Sequence, residues 1–186
     1  MFTAPPVPEI DAEWLYWEMM RISRAPDPWM WPALKALRRE AGRRNKAGGG
    51  KEGKERFLVG ALSNTSIFPP GHEFNDPSTP EGRFNRELKA CFDVFVSSAH
   101  VGMRKPDVDI YEFAVRELDK VARERGDEKG VVAGDIMFLD DIGGNLRTAK
   151  KVGMRTIKVE LGKAWKAVEE LEKVTGLKLE GSAPKL

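Results

Sequence analysis

The sequence predicts an α/β protein, a Rossmann-like parallel sheet with helices on both faces. Three observations predict it. From Arg56 onward, short apolar runs alternate with longer amphipathic stretches, the order in which crossover helices join parallel strands. The amphipathic stretches carry their apolar residues at helical spacing, as in Ile110, Ala114, Leu118 and Val121. Gly153 and Gly176 stand where helices of this kind stop.

Taken in order, "PEIDAEWLYWEMMRIS" reads as a helix, with Pro8 and Asp11 suited to its start and Ile10, Trp14 and Trp17 at helical spacing. Trp14, Tyr16 and Trp17 are expected to pack into a core. A second helix begins near "DPWMWPALKALRRE", capped by Asp27, with Met30, Leu34, Leu37 and Ala41 along one face. "GRRNKAGGGKEGKER" has too few apolar residues to bury and is expected to be a solvated loop. "RFLVGALS" then reads as a strand, "FPPGHEFNDPSTPEG" as a turn-rich loop and "RFNRELKACF" as a helix. "DVFVSS" is a strand and "PDVDIYEFAVRELDKVARE" a helix. "DIMFLD" is a strand, and "GNLRTAKKVG" is a helix with Leu146, Ala149 and Val152 inward. "MRTIKVE" is the last strand and "KAWKAVEELEKVTG" the last helix.

Composition narrows the function classes. Of 186 residues, 31 are basic and 29 acidic, and a net charge of +2 argues for neither nucleic acid nor an anionic membrane as partner. Cys91 is the only cysteine, so no intrachain disulfide forms, which fits a cytoplasmic location; its apolar surroundings point to a buried thiol. Two histidines, His72 and His100, exclude a zinc site built mainly on histidine. No stretch approaches the roughly 20 apolar residues that span a bilayer, and the N-terminal residues lack the pattern of a secretory signal.

In open parallel sheets, chemistry gathers beyond the carboxyl ends of the strands. The first strand delivers Ser63, Asn64 and Thr65, the second leads through "SSAHVGMRKP" to Lys105, and the third delivers Asp140 and Asp141. A carboxylate pair binds a hard cation such as Mg²⁺. A lysine neutralises a phosphoryl oxygen, while a hydroxyl and an amide hold the others. Each element alone has a plainer reading: an Asp pair before a helix is a cap, Lys105 before Pro106 a surface turn, Ser63-Asn64 an ordinary turn. Their succession at strand ends is what joins them.

"GALSNT", "SSAHVGMRKPDVDIYEFAVREL" and "IMFLDDIGGNLRTAKKVGMRTIKV" resemble the second, third and fourth motifs of the haloacid dehalogenase (HAD) superfamily, in the branch that includes the N-terminal phosphatase domain of soluble epoxide hydrolase. The resemblance implies a HAD-like phosphatase hydrolysing phosphoric monoesters through a phospho-aspartate. Ser63 and Asn64 would hold the phosphoryl group, Lys105 would neutralise nucleophile and phosphate, Asp141 would ligate Mg²⁺ and Asp140 would support that ligation. It also implies that residues 1–45 are a remnant of a helical cap, 46–55 a flexible basic loop and 56–186 the α/β core.

The family's first motif is an apolar strand ending Asp-x-Asp, and no such strand occurs in these residues. Asp107-Val-Asp109 opens a helix, Asp93 and Asp135 precede their strands, and Asp11 lies in a helical pattern. By resemblance the absent strand is the central one, between the Ser63 strand and the Asp140 strand. The expectations that follow are impaired turnover, weak or absent Mg²⁺ binding, and a sheet slot that favours a partner strand or a second copy. The alternatives are a non-catalytic protein binding a small phosphorylated molecule, and an incomplete fragment of a larger hydrolase.

Overall fold

The computed structural model describes residues 9–23, 25–46 and 57–179. The expected basic loop, apart from Lys46, and Pro8 lie outside these residues. The element order is α1 (Ala12–Ile22), α2 (Met30–Lys46), β1 (Gly60–Ser63), α3 (Pro80–Ala90), β2 (Val94–Ser97), α4 (Ser98–Val101), α5 (Val108–Glu124), β3 (Met137–Asp140), α6 (Gly143–Val152), β4 (Arg155–Lys158) and α7 (Trp165–Thr175). Among the described residues no helix is long and apolar enough to cross a membrane.

The expected alternation of strand and helix is present, but the strands form two parallel pairs. β1 pairs with β2, Gly60 opposite Val94 through Ser63 opposite Ser97. β3 pairs with β4, Met137 opposite Arg155 through Asp140 opposite Lys158. Among the described residues no strand joins the two pairs, and β1 and β3 do not bond each other.

Helices bridge the pairs. On one face α5 sets Ile110, Tyr111 and Ala114 against Val96 of β2 and Ala149 of α6, with Leu62 of β1 and Phe138 of β3 packed around them. On the other face Ala33 and Ala36 of α2 meet Ile157 of β4 and Ala167, Val168 and Leu171 of α7, with Met137 and Leu139 of β3 at the edge. Phe138 thus faces α5 while its neighbours Met137 and Leu139 face α2 and α7, the alternation a strand covered on both sides requires.

Local chemistry accounts for the helix starts. Asp11 Oδ1 accepts from Trp14 N–H at 2.9 Å, and Asp27 Oδ1 from Trp29 and Met30 N–H at 2.9 and 2.8 Å. Thr79 caps α3 in front of Pro80. α2 runs on through Gly42 to Lys46, beyond the start of the expected loop, because Glu40 pairs with Arg43 and Arg44 one turn ahead.

α1 departs from expectation. None of its residues is buried, and Trp14 is 62% exposed. Tyr16 meets the Trp17 ring edge-on at 4.9 Å, and among the described residues it is Trp17 that reaches rings beyond the helix, His72 at 4.5 Å and Phe68 at 6.2 Å between centroids, in the loop after β1. Amphipathic spacing dictates a helix but not a surface for it to meet.

At the opposite ends of the strands from the candidate site, the buried carboxylate of Asp93 braces four elements. It accepts from Arg38 of α2 at 2.6 Å, from Arg125 at the end of α5 at 2.8 Å and from Val59 N–H at 2.9 Å. Asp93 N–H returns a bond to Val59 C=O at 2.7 Å, one rung ahead of the β1–β2 ladder.

Candidate functional site

Of the expected polar residues at the strand ends, Asn64, Lys105 and Asp140 meet. Asn64 follows β1, and its side-chain amide holds the Lys105 backbone from both sides. Asn64 Nδ2 donates to Lys105 C=O at 3.0 Å, and Lys105 N–H donates to Asn64 Oδ1 at 2.9 Å. The Lys105–Pro106 peptide is cis. With its backbone held there, Lys105 runs past the Phe138 ring, 5.4 Å from the centroid, and its Nζ donates to Asp140 Oδ2 at 2.6 Å. The two side chains are 10% and 5% exposed. β1, the loop after β2 and β3 are therefore joined by one polar chain.

Asp140 is the last residue of β3, and its second oxygen is also engaged. Oδ1 accepts from Ile142 N–H at 2.8 Å and from Asn145 Nδ2 at 3.0 Å. Asn145 is buried in the first turn of α6, and its C=O accepts from the Tyr111 hydroxyl at 3.0 Å. Tyr111 itself is fully buried. Burial first, then the negative charges of Asp140 and Asp107, push its pKa up to about 12. Asn145 and Tyr111 escaped the reading of the sequence. The only available signal was an Asn five residues after Asp140, hence just inside the following helix.

Ser63 ends β1 half-buried, opposite Ser97, and has no hydrogen-bond partner for its hydroxyl among the described residues. Beside it runs a second polar chain: Thr65 Oγ1 lies 2.5 Å from Ser97 Oγ, which lies 2.8 Å from His100 Nδ1. Ser98 Oγ accepts from Thr65 N–H at 2.9 Å. Asn64, Thr65, Ser66, Ser98 and Arg104 line a cavity of about 420 Å³ there. Asp141 is exposed, and no ion pair to Lys105 joins it among the described residues. With Asp27, Asp140 and Glu160 it lines a neighbouring cavity of about 320 Å³.

These residues do not fit a bound Mg²⁺ as they stand. Mg²⁺ demands near-octahedral oxygen coordination. Asp140 already serves three donors, which leaves Asp141 as the one uncommitted carboxylate of the expected pair. Among the described residues no three His, Cys, Asp or Glu side chains cluster as a metal site.

The comparisons with known proteins agree with the motif resemblance in kind. The chain is 40% identical over 90 residues to bifunctional epoxide hydrolase 2 of Rattus norvegicus, a match covering 48% of this chain and 14% of that protein. It is 34% identical over 93 residues to acyl-CoA dehydrogenase family member 10 of Mus musculus, covering 50% of this chain and 8% of that one. The chain thus spans a small part of the curated relatives it matches. No protein-family model matches it. A crystal structure of an uncharacterized protein from Corynebacterium glutamicum superposes with a TM-score of 0.52 at 21% identity, over 84% of this chain and 90% of that one, which shows the α/β fold.

Proposed function

We propose that this chain is a HAD-like hydrolase scaffold of the phosphoric-monoester class, whose turnover in these 186 residues is impaired. In this reading Ser63 and Asn64 hold a phosphoryl group, Lys105 neutralises it, and Asp140 and Asp141 are the acidic residues on the cation side. The observation that supports it most is the chain Asn64–Lys105–Asp140, which joins the carboxyl ends of β1 and β3 through bonds of 2.9, 3.0 and 2.6 Å. An ammonium fixed at its base by an amide is preorganised for a phosphoryl oxygen.

Impairment follows from what faces Lys105. A phospho-enzyme requires a carboxylate free to attack. The carboxylate bonded to Lys105 Nζ is Asp140, already engaged by Ile142 and Asn145. Mg²⁺ affinity is accordingly weak to absent. The free edges of β1 and β3 suit a partner strand or a second copy, and the ligand class is a small phosphorylated molecule met in the cytoplasm.

The purified chain, assayed with p-nitrophenyl phosphate and Mg²⁺, is expected to turn over at least 10³-fold more slowly than the roughly 10 s⁻¹ typical of enzymes. Mg²⁺-dependent turnover near 1 s⁻¹ would overturn the proposal of impairment. Absent turnover together with a phosphate-induced rise in melting temperature, lost in Lys105→Ala, would shift the assignment to a phosphate-binding protein.

A further inference from the structure

We propose that the Lys105 ammonium is itself the cation of this site, occupying the charge position on Asp140 and keeping divalent metal out. The inference rests on the reading of Asp140 and Asp141 as cation-facing residues and names what regulates them.

Three features carry it. The first is the lysine's delivery. Its backbone is held at both N–H and C=O by Asn64, and its stem passes Phe138, so its Nζ is directed to Asp140 Oδ2 at 2.6 Å and only 10% of the side chain reaches solvent. The second is prior engagement. A carboxylate offers about four lone-pair positions, and Lys105, Ile142 and Asn145 take three of those on Asp140. The third is exclusion. A Mg²⁺ at its usual distance of about 2.1 Å from Oδ2 would lie about 4 Å from the ammonium, and the low exposure of both groups leaves little water to screen that repulsion. The remaining carboxylate, Asp141, is exposed, and among the described residues it belongs to no cluster of three ligand side chains that could hold the ion.

A cation supplied by the chain has a consequence that a supporting hydrogen bond would not. Removing the ammonium while keeping the side-chain volume should open Asp140 to metal. The test is Mn²⁺ binding followed by electron paramagnetic resonance, with Mg²⁺ thermal shifts alongside and no substrate present. The wild-type chain is expected to bind Mn²⁺ only in the range of about 10 mM or weaker. Lys105→Met is expected to bind at least about tenfold tighter. Its melting temperature should fall and be recovered by 10 mM MgCl₂, but not by NaCl at equal ionic strength. The double variant Lys105→Met/Asp140→Asn should lose that recovery.

Wild-type binding below about 1 mM, or no gain in a folded Lys105→Met, overturns the proposal. Should Lys105→Met fail to fold with and without Mg²⁺, Asp140→Asn in the wild-type background decides. Unchanged Mn²⁺ binding supports an Asp140 already occupied by lysine, and weakened binding overturns it. Turnover plays no part in these readouts, so a failed phosphatase assay is distinguishable from a failed cation assignment.

Discussion

Replacing Asp93 with asparagine tests how the β1–β2 pair is held to α2 and α5 at the end away from the site. The Asp93 side chain is fully buried and accepts from Arg38, Arg125 and Val59 N–H. Asparagine keeps the shape but loses the charge, and its NH₂ must face one of those donors. A buried donor left unpaired costs about 1–3 kcal/mol. The arginine side chains are 39% and 41% exposed, so their share is screened, about 0.5–1 kcal/mol each. The expected loss is therefore about 2–5 kcal/mol, a large part of the roughly 5–15 kcal/mol typical of a domain. Urea unfolding read by tryptophan fluorescence measures it, since Trp29 and Trp31 sit at the start of α2, which Arg38 ties to Asp93. Arg38→Ala alone should cost about 1 kcal/mol or less. The sign of the pH dependence follows as well. Burial, the largest influence, raises the Asp93 pKa, but the bonds from Val59, Arg125 and Arg38 more than offset it and the net value is lowered. The stabilisation is thus present above the unfolded value of about 3.9 and is lost as pH falls through the folded one, so Asp93→Asn should flatten the acid limb of the stability profile. A change smaller than about 0.5 kcal/mol, or an unaltered acid limb, would refute the brace.

Two further outcomes follow from buried groups. Tyr111, with its pKa pushed up to about 12, is neutral in both folded and unfolded states below about pH 10; above that the unfolded chain releases a proton that the folded one keeps. Stability should therefore fall by about 2–3 kcal/mol between pH 10 and 12, and Tyr111→Phe should remove that fall in alkaline urea titrations, whereas an equal fall in the variant would sink the assignment. Cys91 is buried, with its Sγ on Glu87 C=O at 3.4 Å, and burial together with Glu87 raises its pKa. Iodoacetamide should label it at least 10²-fold more slowly in the folded chain than in urea, and equal rates would contradict its place behind α3.

Much of the secondary structure was legible because it is local. Ile110 and Ala114 recur at the helical period, and Gly153 and Gly176 stop helices with φ of 101° and 66°, values that suit a residue without a Cβ. The site was legible in part for the same reason: Ser63, Asn64 and Asp140 fall at the last residues of apolar runs or just past them, and the carboxyl ends of parallel strands converge. Asn145 and Tyr111 were not legible, because their role exists only when α5 and α6 pack side by side. Trp14 misled, since a large apolar residue at helical spacing reads as core whether or not a partner covers it. The length of α2 was missed because the ion pairs around Glu40 outweigh the composition of the stretch that follows.

The sequence by itself determined the order of strands and helices, the caps at Asp11 and Asp27, and the delivery of a hydroxyl, an amide, an ammonium and two carboxylates to the strand ends. These depend on dihedral preference, periodicity and neighbours a few residues away. Only the tertiary structure decided that the strands stand as two pairs, that Asp93 ties α2 and α5 to the β1–β2 pair at one end, and that Lys105 reaches Asp140 at the other. Those contacts join residues 32 to 55 positions apart, and no local preference specifies which distant donor a buried carboxylate will meet.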